Sequence, residues 1–256
     1  MLSTPPVTIC ALTYGNYPDL VKRCIQSILL HCERSLYRLA VGANQVGDET
    51  QDYLKRLRAE GRIDRLCESA TNIHKCPMMR RMITGIDTEY LWWFDDDSHI
   101  IDPEALTRRL AISRGSPASM GAWGHRFYVN SDFDFGGGPD PVDFVKSATW
   151  YRGKEPPSCR PGGKGEFNFE GRGVGDGRWF FPTGGCWFAR TAAIRDIDWP
   201  DRRLRQHGPD DVMLGEALRQ CGWEDMDVGP LGVAVSDHGR RAGIYTLDSG
   251  PEAAAD

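Results

Sequence analysis

The segment Tyr90-Leu91-Trp92-Trp93-Phe94 is apolar at every position and runs without a break into Asp95-Asp96-Asp97. A strand with one wet face alternates apolar and polar residues, so an unbroken apolar run describes a strand covered on both faces. Such a strand belongs inside a sheet with helices on each side, which makes this an α/β chain. The three carboxylates at its end repel one another: at ~5 Å and an effective dielectric near ~20, each pair costs roughly 3 kcal/mol. A hard divalent cation, Mg²⁺ or Mn²⁺, reverses that sign, and ligands of open α/β sheets bind at the carboxyl ends of strands. The competing reading is a solvated acidic turn that helps Asp102 cap the next helix.

The rest of the first 115 residues fits an alternating pattern. Val7 to Leu12 reads as a buried strand, and Pro18 suits the first turn of a helix with Val21, Cys24, Ile25, Ile28, Leu29 and Cys32 on one face. A second strand over Tyr37 to Val41 runs into a polar turn, Gly42-Ala43-Asn44-Gln45. Asp48 opens a helix ending at Gly61 with Tyr53, Leu54 and Leu57 inward, and a short strand follows around Ile63 to Leu66. Pro77 starts a helix through Met78, Met79, Met82 and Ile83; Asp102-Pro103 opens another with Ala105, Leu106, Leu110 and Ile112 inward. Strand–helix alternation of this kind predicts a single, mostly parallel Rossmann-like sheet.

The second half has a different texture. Residues 130–178 are rich in Gly and Pro without a periodic segment, the composition of a functional loop or lid. Trp179-Phe180-Phe181, a Gly184-Gly185 turn and Cys186-Trp187-Phe188-Ala189 then read as strands. A helix from Pro209 carries Val212, Met213, Ala217, Leu218 and Cys221 inward and stops at Gly222; Leu231, Val233 and Val235 alternate as a last strand before Ser236-Asp237-His238-Gly239.

Bulk properties narrow the function classes. A length of 256 residues holds one large domain, and a formal charge of −5 gives no global attraction to nucleic acid or anionic lipid. No apolar run approaches the ~20 residues of a membrane helix. The start, MLSTPPVTIC, lacks the basic and apolar regions of a secretory signal, so a cytoplasmic protein is expected. The eight cysteines are scattered with no CxxC pair, which favours reduced structural thiols over disulfides or zinc.

Several segments, in order, resemble the GT-A glycosyltransferases. YLWWFDDDSHI is similar to their strand plus DxD element, and VTICALTYGNYPDLVKRCIQSIL to the opening strand and helix of the family 2 members. FPTGGCWFAR followed by HGPDDVMLGEALRQCGW resembles the later half of the fringe-like β-1,3-glycosyltransferases, and SDHG their late histidine. The resemblance implies a GT-A fold over residues 1–241. Residues 1–115 form its nucleotide-sugar half, 116–241 its acceptor half with the loop 130–178, and 242–256 a loose tail. It also implies a metal-dependent inverting transfer of a sugar from a nucleoside-diphosphate sugar, with UDP expected, to an acceptor hydroxyl.

Carried over by position, Asp97 and His238 are the expected ligands of Mn²⁺ or Mg²⁺. Asp95 and Asp96 lie beside the ribose and metal waters, and Thr13 and Tyr14 flank the base. Asp211 is the expected general base, with Asp210 beside it at the acceptor. Where family 2 enzymes place an acid after the second strand that contacts the base, this chain has Asn44, which is expected to substitute as a donor-binding residue and leaves the identity of the base open. Asp95 and His99 remain alternative metal ligands, His99 through an Asp97-Ser98-His99 register resembling the DxH of polypeptide N-acetylgalactosaminyltransferases. Gly184 and Gly185 either allow a tight turn or let an acceptor approach the backbone, and Trp123 is either core or a stacking platform.

The default acceptor is a saccharide or glycoconjugate. A modified nucleic-acid base is the minority alternative, carried by Arg152, Lys154, Arg160, Lys164, Arg172 and Arg178, among which Glu155, Glu166, Glu170 and Asp176 are interleaved. Two other classes stay open: a sugar-nucleotidyltransferase, for which TYGNYPD makes a poor phosphate loop, and a non-catalytic sugar-binding protein of the same fold.

Overall fold

The computed structural model describes residues 4–130, 140–157, 167–168, 178–205 and 209–235. The chain runs β1 (Val7–Gly15), α1 (Pro18–His31), β2 (Tyr37–Val46), α2 (Asp48–Ala59), β3 (Arg65–Ser69), α3 (Lys75–Ile83), β4 (Tyr90–Asp95), β5 (Ser98–Ile100) and α4 (Ala105–Gly115). It continues through β6 (Met120–Asn130), α5 (Pro141–Lys146), β7 (Phe167–Asn168), β8 (Arg178–Arg190), α6 (Thr191–Asp196), α7 (Pro209–Cys221), β9 (Glu224–Asp227) and β10 (Val233–Val235).

The main sheet has the order β3-β2-β1-β4-β8-β6-β7, with β9 beside β6, and β5 pairs with β10 in a separate ribbon. β3, β2, β1 and β4 are parallel, β8 is antiparallel to both β4 and β6, and β9 is parallel to β6. The chain therefore reverses its winding between β1 and β4, the point where an open α/β sheet leaves a crevice beyond its strand ends.

β4 is buried on both faces, and its side chains divide between two cores. Leu91 and Trp93 join Met78, Met82, Trp187, Ile194, Met213 and Leu218 on the side of α3, α6 and α7. Tyr90, Trp92 and Phe94 join Ile25, Leu54, Leu106 and Phe188 on the side of α1, α2 and α4. Facing strands align these rings: Trp93 stacks on Trp187 at 5.9 Å and Tyr90 on Phe188 at 5.1 Å.

Several expectations change. Gly42-Ala43-Asn44-Gln45 is not a turn but the end of β2, because each residue through Asn44 pairs with β1. β3 starts two residues later than expected, and α3 begins at Lys75 rather than Pro77. Gly184-Gly185 does not separate two strands. β8 is continuous there, and its pairing with β6 jumps from Gly124↔Trp187 to Arg126↔Pro182. The 130–178 stretch contains α5, whose start is capped by Asp140 accepting from the Val142 and Asp143 amides. β5, β6, α6 and β9 lacked a readable signal; β6, for one, interrupts its apolar residues with Gly121, Gly124, His125 and Arg126. The expected tail 242–256 and the SDHG motif lie outside the described residues.

α7 lies directly on β8. A Cβ at Gly215 would fall 1.9 Å from the Phe180 carbonyl oxygen and 2.8 Å from the Phe181 Cα, so only glycine permits this approach. Gly215→Ala must push the helix off the sheet, and we expect a loss of about 3 kcal/mol or more in urea unfolding. A change below about 0.5 kcal/mol would mean that α7 does not rest on β8 in this way.

Candidate active site

The carboxyl ends of β1, β2 and β4 lie side by side, where a crevice is expected at the reversal of winding. Leu12 is level with Asp95 and Tyr14 with Asn44. Thr13 is fully buried and donates its hydroxyl to the Gly42 carbonyl at 2.8 Å, locking β1 to β2. The Tyr14 amide donates to Asp96 Oδ2 at 3.1 Å, which ties the end of β1 to the end of β4. Ser98 donates to the Gly185 carbonyl at 2.9 Å and so closes the other flank onto β8. Asp97, between these ties, is buried, with Ser98 Oγ 3.5 Å from its Oδ1.

Asn44 is buried, and its amide works in two directions. Its Nδ2 donates to Asn72 Oδ1 at 2.9 Å, and its Oδ1 accepts the Ile73 amide at 3.0 Å. Asn72 Oδ1 also accepts the His74 amide at 2.8 Å. This network holds His74 at φ 69 and ψ 166, a region almost reserved for glycine, at a cost of order 1–3 kcal/mol. Asn44 therefore shapes the loop from β3 to α3 rather than presenting its amide to a base.

That loop delivers Lys75, which sequence reasoning missed. Its side chain is only 9% exposed, and its Nζ lies 3.0 Å from Asp95 Oδ2 and 3.0 Å from Asp210 Oδ2. Burial works against the ammonium, but Asp210, then Asp95 and Asp211, hold its pKa well above the ordinary lysine value. Asp95 Oδ1 accepts the Trp93 indole N–H at 3.0 Å. Lys75 thus meets one Asp95 oxygen and Trp93 the other. Asp210, expected at an acceptor, is 2% exposed and turned to Lys75. No local signal marks it in the sequence, because Lys75 opens a helix only once the structure sets the start of α3 two residues before Pro77.

Asp211 is partly buried in the first turn of α7. Burial pushes its carboxyl well above the ordinary carboxylate range, the Asp210 charge adds to that, Lys75 opposes it, and a hydrogen bond shared with Asp210 favours the proton. Asp211 thus favours its protonated form, and a carboxyl with a raised pKa is a candidate for proton transfer.

The β5–β10 ribbon brings a distant segment to the same place. Val235 pairs with Ser98 and Ala234 with His99, so the last described residue lies opposite the neighbour of Asp97. Arg109 fixes the approach, donating to the Pro230 and Leu231 carbonyls at 2.9 and 2.7 Å while its guanidinium lies 4.5 Å over Trp92. His238 follows three residues on, outside the described residues. His99 is partly buried, and burial, then Arg23, lowers its pKa. Trp123 is corrected to core: it is 2% exposed beneath α4, packed on Tyr90 and Phe188, with its indole donating to Ser116. Among the described residues, no three His, Cys, Asp or Glu side chains converge as a metal cluster. The described cysteines are all unbridged.

Comparison with known proteins places the architecture. No family model and no curated protein matches the sequence. Among solved structures, the chain is similar to the mannosyltransferase PcManGT from Pyrobaculum calidifontis, which is in complex with GDP-Man and Mn²⁺. The TM-score is 0.58 at 13% identity, over 90% of this chain and 56% of that one. The fold is that of the GT-A glycosyltransferases. TarS from S. aureus is also similar, with a TM-score of 0.52 at 12% identity over 90% of this chain and 36% of TarS. This chain thus spans about half the length of PcManGT and a smaller part of TarS. Among the described residues, no helix is long and apolar enough to cross a membrane.

Proposed function

We propose that this protein is a metal-dependent, inverting glycosyltransferase that moves a sugar from a nucleoside-diphosphate sugar to an acceptor hydroxyl. One observation carries the reading: in a GT-A fold, Lys75 joins the acidic end of β4 to the first turn of α7, so donor-side and base-side acids share one crevice. The neighbour PcManGT binds GDP-Man and Mn²⁺, which supports a nucleotide-sugar donor and a divalent cation.

Asp97 would supply hard carboxylate oxygen at the end of β4, and with His238, which follows three residues after the Val235–Ser98 pair, would make a donor set suited to Mn²⁺ or Mg²⁺. Bound there, the cation would neutralise charge on the leaving nucleoside diphosphate. Asp96 and the Tyr14 amide hold the crevice walls together, with Tyr14 beside the nucleotide. Asp211 takes the proton from the acceptor hydroxyl as that oxygen attacks the anomeric carbon opposite the diphosphate, so the configuration inverts. Gly184 and Gly185 lie where β8 departs from regular pairing with β6, and we assign that irregularity to the acceptor side. A saccharide or glycoconjugate is the acceptor we favour. Of the basic residues that would suit a nucleic acid, Lys154 already donates to the Arg219 carbonyl at the end of α7.

Thermal shift against a panel of UDP- and GDP-sugars, with and without Mn²⁺, tests the reading. A stabilisation of about 2.7 kcal/mol is expected at a ligand concentration ~100-fold above Kd, and it should require the metal. Turnover should release nucleoside diphosphate. Release of pyrophosphate would make the protein a nucleotidyltransferase, and metal-dependent binding with neither product would leave a binding protein.

A further inference from the structure

We propose that Lys75 is a positioning residue that ties the two sides of the crevice together, through Asp95 on β4 and Asp210 on α7, and so fixes the helix turn that carries Asp211. The proposal rests on the reading of Asp211 as the base. Its geometry is symmetric: one ammonium, almost fully desolvated, lies 3.0 Å from a carboxylate oxygen of each side. Both acids belong to rigid elements, Asp95 to the end of a central strand and Asp210 to the first turn of a helix.

Local forces would not put a lysine there. As the first residue of α3 it faces the positive end of the helix dipole, and it has left water to do so. The backbone before it is held in an unfavourable conformation at His74 by the Asn44–Asn72 network. On its other side, the Cys76 amide donates to the Arg205 carbonyl at 3.1 Å, which anchors the start of α3 to the segment leading into α7. Strain and scaffolding of this kind accompany groups that must be held at one point. The acids explain the requirement. Asp95, Asp210 and Asp211 repel one another, and a cation between the two elements turns that repulsion into attraction. α7 is seated on β8 at Gly215, one turn beyond Asp211, so the Lys75 link fixes the end of the helix that faces the crevice.

Hydrogen exchange tests the tie without needing a substrate. The amides of Met213 to Glu216 bond to carbonyls of the first turn of α7 and report whether that turn is held. K75M should raise their exchange by ~10-fold or more, with β4 and α1 unchanged, because a broken buried ion pair loosens the elements it joined. K75R should restore protection. D210N removes one end of the tie but keeps the Lys75–Asp95 pair, so it should loosen the same amides even if K75M fails to fold. Unchanged protection in a folded K75M, or in D210N, overturns the proposal.

Kinetics add a readout that a merely structural lysine would not move. With the UDP- or GDP-sugar that the wild type turns over, K75M should lower kcat by ~10–100-fold, since a small misplacement of a base costs rate. Donor KM should stay within about threefold, because no donor contact is removed. An equal fall in donor affinity would make Lys75 a donor-binding residue instead and overturn the positioning role. If D211N keeps full turnover, the reading of Asp211 fails while the exchange result still decides the tie.

Discussion

Asp211→Asn is expected to lower kcat by roughly 10²–10⁴-fold, the range of general-base catalysis, with donor KM nearly unchanged. Stability should move the other way. Asp211 has a pKa raised by burial and then by Asp210, so it binds its proton more tightly in the folded state than in the unfolded one. Such a group weakens the fold as pH rises from the ordinary carboxylate value toward its raised one, and the neutral amide removes that penalty. At neutral pH the variant should therefore melt no lower than the wild type, apart from a helix-start contribution of about 1 kcal/mol or less.

The same shift sets a pH profile. A base must be ionised, so kcat should fall as pH drops through a point well above the ordinary carboxylate range. The charged groups facing Asp211 are Asp210 on its own helix, Lys75 from α3 and Asp95 from β4. Asp210→Asn removes a charge and a hydrogen bond that both favour the proton, and the acid limb should move to lower pH. Its kcat loss should be smaller than that of Asp211→Asn; the opposite order would move the base to Asp210. Normal turnover in both variants would make the acid pair structural.

Legibility of the sequence followed the range of the forces involved. β1, β4, α1 and α7 were readable because each carries its burial pattern within its own residues: five apolar residues for β4, a spacing of three and four for α1. β6 and β9 owe their pairing to strands far away in the chain, and their own residues carry weak patterns. In the candidate site, Asp96, Asp97 and Asp211 stood out as acids because α/β topology and a family resemblance gave acids there a possible role. Lys75 was not, since its meaning lies in Asp95 and Asp210, 20 and 135 residues away. Asn44 and Trp123 show the converse: a polar residue near a strand end, or an aromatic one within a strand, suits either a ligand contact or the interior until its own partners, Asn72 and Phe188, appear.

Asp97→Asn is the second large effect. Asparagine keeps the volume and an oxygen but loses the charge that a hard cation needs, so binding of Mn²⁺ and the stabilisation it gives a departing diphosphate should fall together. Several kcal/mol of such stabilisation corresponds to a drop in turnover of about 10²-fold or more. A Mn²⁺ titration of the initial rate measures it, with circular dichroism to show that the fold persists. Asp95→Asn separates this role from its neighbour. Its oxygens serve Trp93 and Lys75, so it should loosen α7 and lower kcat without shifting the Mn²⁺ midpoint. His238→Ala should shift that midpoint as Asp97→Asn does, if His238 is the second ligand as proposed; Val235, three residues earlier, pairs with Ser98 beside Asp97. An unchanged titration in His238→Ala removes that histidine from the metal. Full Mn²⁺-dependent turnover in Asp97→Asn removes the metal from the end of β4 altogether. A midpoint shift in Asp95→Asn alone would mean that Lys75 releases Asp95 when the donor arrives, and that the first acid of the triplet, not the third, holds the cation.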